Sequence, residues 1–274
     1  MRKYLLWLPL SLALLYLATA CDPCRKLAKS PKIADKDSAA YCYYERGQYE
    51  AAAIHFEELM GFYNVSPRGE TIMYMFAQSK MRSGQLITAA YYFQQFVERY
   101  PNSDLVQEAT YFIGYSYYLQ SNDYELDQGE TRKAIEYFSL YLQVYPGAER
   151  RAKVEEMIAE LRDRLAHKAY NHAQLYLDME RYKAARVAFQ VMLQEYPDSE
   201  YREKAQFGLF KSAARLAENS VQDKQYERYE SAEDYYLRFV DKFPDSKFSR
   251  EAEKLYEDVQ AALVRLKANN ETVE

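Results

Sequence analysis

Beyond Cys42 the chain contains no cysteine. Its only three, Cys21, Cys24 and Cys42, crowd into the first 42 of 274 residues. No disulfide framework therefore holds the body together. Histidine is as scarce: His55, His167 and His172 are scattered, and the last two, five apart, share a helix face poorly, so no metal centre is expected. Eight glycines and eight prolines are too few for a disordered or fibrous chain. No GxGxxG, Walker loop, HExxH or GxSxG occurs, and the carboxylates are spread along the chain without an identifiable catalytic pair. No enzyme and no cofactor are expected. A net charge of −5 supplies no basic field for nucleic acid. The longest apolar run, Tyr4 to Leu17, is short of the roughly 20 residues a membrane-spanning helix needs.

What the chain has in excess is tyrosine, 29 residues, and repetition. The stretch from Ala89, AYYFQQFVERYPNSD, recurs. From an alanine at offset zero, apolar side chains fall at offsets 3, 4, 7, 8 and 11, and a proline closes at 12. The alanines are Ala52, Ala89, Ala134, Ala185 and Ala232; the prolines are Pro101, Pro146, Pro197 and Pro244, with Asn64 in the first copy. Such spacing draws one stripe along a helix, and proline ends it. Before each copy stands a partner helix, and in the first two a glycine, Gly47 or Gly84, lies five residues before the alanine.

This helix, turn and helix pattern resembles the tetratricopeptide repeat, with a small residue in its first helix and Ala-x-x-x-aromatic in its second. The implied fold is all-α, a superhelical array of about five repeats with a C-terminal capping helix. The small-residue slots are Ala40, Ala77, Gly114, Ala173 and Gly208. Successive alanines lie 37, 45, 51 and 47 residues apart, against about 34 in the family. The excess is assigned to a loop at Ser121–Glu130, a long helix at Ala148–Met179 and the segment Asn219–Tyr229. Serines after the prolines, Ser103, Ser199 and Ser246, suit capping of the next helix.

In such arrays the first helix of each repeat lines a groove. Carrying those slots over gives Ala34, Asp37, Tyr41 and Tyr44 in repeat one. Repeat two gives Thr71, Tyr74, Gln78 and Met81, and repeat three gives Glu108, Tyr111, Tyr115 and Tyr118. These rings suit an extended peptide, or else they complete the core. As groove residues, Tyr74, Tyr111 and Tyr115 are expected to contribute most.

The N-terminus reads as an export signal over residues 1–20: Arg2 and Lys3, an apolar core, then Ala18-Thr19-Ala20 before Cys21. The arrangement resembles a bacterial lipobox, although Ala18 stands where leucine is commoner, and it implies lipidation of Cys21. The alternative is an ordinary signal with an incidental cysteine. Cys21-Asp22-Pro23-Cys24 also matches CxxC, without the strand–helix setting of a redox pair. With Cys21 modified, Cys24 and Cys42 remain able to pair in an oxidising compartment, and the sequence does not fix their separation. Residues 21–34 are expected to be a tether, 35–147 repeats one to three, 148–266 repeats four and five with the capping helix, and 267–274 a polar tail.

Repeats, lipobox, the YPNSD, YPDSE and FPDSK junctions and the long helix together resemble the BamD family, lipoproteins of the outer-membrane β-barrel assembly machinery. The resemblance covers essentially the whole mature chain. It implies a non-catalytic, lipid-anchored outer-membrane protein facing the periplasm. Unfolded outer-membrane β-barrel proteins would offer their aromatic-ended strands to the first repeats, and the last repeats would dock on the POTRA domain of BamA. Arg181, Arg202 and Lys204 are the docking candidates. Rival readings are a cell-envelope or division adaptor with the same repeats, and a small SusD-like glycan-binding lipoprotein.

Overall fold

The computed structural model describes residues 22–64 and 66–271, the side chains of 270 and 271 excepted. The export signal and Cys21 lie outside the described residues. Every regular element among the described residues is a helix: α1 (Pro23–Ala28), α2 (Ile33–Glu45), α3 (Tyr49–Phe62), α4 (Pro67–Arg82), α5 (Leu86–Arg99), α6 (Val106–Gln120), α7 (Gly129–Val144), α8 (Arg151–Asp178), α9 (Tyr182–Glu195), α10 (Arg202–Glu218), α11 (Gln222–Lys242) and α12 (Ser249–Glu271). They form two compact units. The first runs to Ser121 and includes Lys133–Arg151; the second is Asn122–Arg132 with Ala152 onward.

Within the first unit each of α1 to α5 packs on the helix that follows it; in the second α9 packs on α10, and α11 on both α10 and α12. The repeated stripe explains why. All five alanines at offset zero are fully buried, as are Phe56, Phe93, Phe138 and Phe189 at offset 4. At offset 7, Leu59, Phe96, Tyr141, Met192 and Phe239 are at most 1% exposed. Each such side chain contributes about 2–3 kcal/mol of apolar burial. Offsets 3, 8 and 11 are half-buried in every copy, so a single helix pair leaves its flanks open and a neighbouring repeat must cover them.

Three tight turns share one geometry. Gln48 N–H donates to the Tyr43 carbonyl (2.9 Å) and Gly47 N–H to that of Tyr44 (3.0 Å); Gln85 and Gly84 repeat this with Lys80 and Met81. Arg181 and Glu180 repeat it again with Tyr176 (2.8 Å) and Leu177 (3.0 Å). This six-to-one closure requires a left-handed residue. Gly47 (φ 72°) and Gly84 (φ 80°) supply it freely, whereas Glu180 (φ 57°) must adopt it with a side chain. At the other junctions Ser103, Ser199 and Ser246 Oγ accept the backbone N–H two residues on, at 3.1, 3.2 and 3.1 Å.

Gly114 serves the close helix approach expected of it: a Cβ there would stand 2.6 Å from the Phe138 ring of the same repeat. Gly208 differs. The atoms a Cβ there would meet belong to Phe189, in the second helix of the preceding repeat, at 2.5 Å. Small residues further along α10, Ala213, Ala214 and Ala217, join the cluster built with Tyr229, Ala232 and Phe239 of α11 instead.

Several stretches depart from the sequence expectation. Residues 22–34 hold α1 rather than only a tether, because Asp22 Oδ1 accepts the Cys24 N–H (3.1 Å), Pro23 begins the helix, and Cys24 is disulfide-bonded to Cys42 with Cα atoms 5.5 Å apart. The extra residues at 219–229 mostly lengthen α11, which starts at Gln222. The polar end 267–271 continues α12. The loop expected inside repeat three packs in the second unit. Lys168 Nζ of α8 donates to the carbonyls of Tyr124, Glu125 and Leu126 (3.0, 3.1 and 2.8 Å), and the Tyr124 ring stacks on His167 at 3.7 Å.

Candidate functional site

The first unit carries the groove candidates on α2, α4 and α6. Their helical spacing does put them on one face of each helix, but burial divides them. Tyr74 is 8% exposed, Tyr111 5% and Gln78 5%. Tyr74 lies edge-on to Phe93 (5.8 Å) and Phe96 (5.6 Å), and Gln78 Nε2 donates to its hydroxyl at 2.9 Å. Burial raises the Tyr74 pKa, as the hydrogen bond to Glu108 does to a smaller extent. Tyr74 and Gln78 thus complete the core and cannot offer a peptide a full ring face. Asp37, Tyr41, Tyr44, Met81, Tyr115 and Tyr118 remain half-exposed.

On α6 the spacing of four and then three residues stacks three rings. Tyr111 and Tyr115 are 5.6 Å apart with 14° between planes, and Tyr115 and Tyr118 6.0 Å with 14°. Arg150 holds the first rung: its guanidinium carbon lies 4.9 Å from the Tyr111 centroid, and Nη2 donates to Glu108 at 3.3 Å. Arg68 of α4 does the same for Tyr41 of α2. Two of its nitrogens donate to Asp37 at 3.0 Å each, and its carbon lies 5.2 Å over the Tyr41 ring. Burial raises the Tyr41 and Tyr111 pKa, while the guanidinium beside each opposes the shift. The result is a set of half-open phenols on an aromatic floor, pinned by arginines. A long-range contact such as Arg150 with α6 left no signal in the local sequence pattern.

The docking candidates of the second unit do not converge. Arg181 stands at the start of α9, whereas Arg202 and Lys204 open α10. A helix of 14 residues, about 21 Å long, lies between. Lys204 Nζ sits over Tyr201 (5.2 Å) and Tyr170 (6.0 Å). Arg181 lines a cleft of about 810 Å³ with Tyr176, Tyr182, Val187, Leu216 and Asn219. His167 is clasped between Tyr124 and Tyr201, at 3.7 and 4.6 Å, and His172 lies against Tyr176 at 4.7 Å. No group of three metal-binding side chains occurs among the described residues, and none of their helices is long and apolar enough to cross a membrane.

Paired helices, left-handed turns and a repeated buried stripe define an all-α tetratricopeptide-repeat protein. The chain belongs to the YfiO family, described as outer membrane lipoprotein, whose model matches residues 37–228. It is 28% identical over 191 residues to the outer membrane protein assembly factor BamD of Vibrio cholerae, covering 69% of this chain and 73% of that one. It is 22% identical over 194 residues to the BamD of Xylella fastidiosa, covering 67% of this chain and 66% of that one, just under two thirds. Among solved structures it is similar to the TPR2AB domain of yeast Sti1 in its pHSP90 complex, at 16% identity and a TM-score of 0.38, covering 83% and 98% of the two chains. It is also similar to a tetratricopeptide repeat protein of Parabacteroides merdae, at 14% identity and a TM-score of 0.35, covering 88% and 78%.

Proposed function

We propose that this lipoprotein, anchored through Cys21 and facing the periplasm, receives aromatic-ended strands of unfolded β-barrel proteins on its first unit. Through its second unit it docks on the POTRA domain of BamA. The observation that carries the reading is the Tyr111–Tyr115–Tyr118 stack with its Arg150 brace. Ordered, half-open rings present apolar area at little entropic cost, and their hydroxyls reach the backbone of an extended guest. Tyr115 and Tyr118, with Tyr41, Tyr44 and Met81, make the direct contacts; Tyr74, Gln78 and Tyr111 support them from below, and Asp37 acts through Arg68. Family membership and the two BamD relatives support the assembly role. For docking, Arg181 is favoured over Arg202 and Lys204, since it borders an open cleft with apolar walls.

Photo-crosslinkers placed at Tyr115 and Tyr118 should capture a peptide ending in an aromatic residue, and the pair Tyr115→Ala with Tyr118→Ala should reduce capture at Met81. Capture that is indifferent to the peptide's terminal aromatic residue would remove the strand-binding reading. Depleting the protein should lower the amount of folded barrel proteins in the outer membrane. Unchanged levels would remove the assembly role.

A further inference from the structure

The residue after Cys21 is already part of the fold. Asp22 caps α1 and pairs with Arg46 at 2.5 Å, and Cys24, fully buried, ties α1 to α2 through Cys42. An acyl group on Cys21 would therefore be attached one residue before the cap of this helix. That helix and the link to α2 carry Arg25, Lys26, Lys29 and Lys32, all exposed. None of the four side chains makes an ion pair among the described residues, while the next basic residue, Lys36, is paired with Glu58. Of the nearby carboxylates, Asp22 pairs with Arg46 and Asp37 with Arg68, whereas Asp35 accepts from the neutral Ser30 hydroxyl (2.5 Å) and Glu45 makes no ion pair among the described residues, so those two keep their charge. Four cations without ion pairs thus outnumber the two unpaired carboxylates of these helices, on a chain whose net charge is −5.

We propose that Arg25, Lys26, Lys29 and Lys32 form a docking surface for anionic phospholipid headgroups. The anchor's position rests on the lipoprotein reading of Cys21; the charge surface itself does not. A six-residue helix is about 9 Å long, within the roughly 10 Å over which charges are felt at moderate salt. The disulfide keeps the basic side of α1 turned away from α2, whose contact takes Cys24. Acyl chains and a basic patch together hold a protein far better than either alone. Here the patch would also set the angle at which the first unit leaves the membrane, which acyl chains by themselves leave free.

The test uses the exported chain with Cys21→Ser, which carries no acyl group, floated with vesicles. It should rise with phosphatidylcholine vesicles containing phosphatidylglycerol, not with pure phosphatidylcholine, and the association should fade as salt is raised. Each basic group near such a surface contributes about fivefold in binding, so changing all four to Gln should weaken vesicle association about 600-fold. These positions are exposed, and an unchanged melting temperature and intact disulfide establish that the variant is folded. Flotation with neither vesicle, equal flotation with both, or binding unaffected by the four changes would overturn the proposal. Fatty-acid labelling of the unaltered chain tests the anchor separately: labelling that persists in Cys21→Ser sinks the anchor assignment while leaving the flotation result to decide the patch.

Discussion

Gly114 faces Phe138 so closely that a Cβ at position 114 would lie 2.6 Å from the ring, and Phe138 is fully buried. A ring held on all sides cannot step aside cheaply. Gly114→Ala should therefore destabilise the first unit by about 1–3 kcal/mol from overpacking, partly offset by up to about 1 kcal/mol of helix propensity. A denaturant midpoint at or above that of the parent chain would show that α6 and α7 can separate without cost.

Glu180 occupies the left-handed position that Gly47 and Gly84 hold in the earlier repeats. Glu180→Gly should stabilise the second unit by about 0.5–1 kcal/mol, since relief of the steric cost exceeds the entropy glycine adds to the unfolded chain. The reverse change, Gly84→Ala, should cost a similar amount in the first unit. Thermal melts of the two variants moving in the same direction would contradict the shared turn geometry.

The Cys24–Cys42 bond spans 18 residues. Its removal by Cys24→Ser with Cys42→Ser should lower the stability of α1 and α2 by about 3 kcal/mol on chain-entropy grounds. Amide exchange should speed up at α1 and leave α4 to α6 unaffected. Faster exchange throughout the first unit would show that α1 stabilises more than its own contact.

Burial raises the pKa of Tyr41, Tyr74, Tyr111 and Tyr170, and burial with a hydrogen bond to Glu200 pushes Tyr201 up to about 12. Unfolded tyrosine ionises near about 10. The folded state favours the neutral phenol, so this contribution is complete below pH of about 10 and is lost as pH rises through the folded values. Helical signal and tyrosinate absorbance should change together between about pH 10 and 12. Full tyrosinate formation with helicity intact would refute the coupling. At the acid end, burial lowers the His55 pKa, ahead of the opposing effect of Glu58. Its contribution is present above about pH 6.5 and is lost as pH falls through the lowered folded value, which His55→Phe should abolish.

Much of the fold was legible because a buried stripe leaves a periodic mark. Ala52, Phe56 and Leu59, and their copies, lie four and seven residues apart whatever surrounds them, and the prolines stop each helix through local backbone chemistry. The groove was half legible. Spacing put Gln78 and Tyr115 on corresponding slots of α4 and α6, yet Gln78 is buried beneath its hydrogen bond to Tyr74 while Tyr115 stays half-open.

The sequence by itself determined the helices, most of their ends and the repeat register, since all of these arise from neighbours within one or two turns. The tertiary structure decided what depends on residues far apart in the chain. It brought Arg150 onto Tyr111, drew Lys168 to the carbonyls of residues 124 to 126, and turned Gly208 toward Phe189. It also joined Cys24 to Cys42, making a fixed helix of a stretch whose composition alone reads as tether. Packing and charge pairing at that range follow from the approach of whole helices, and no local pattern encodes it.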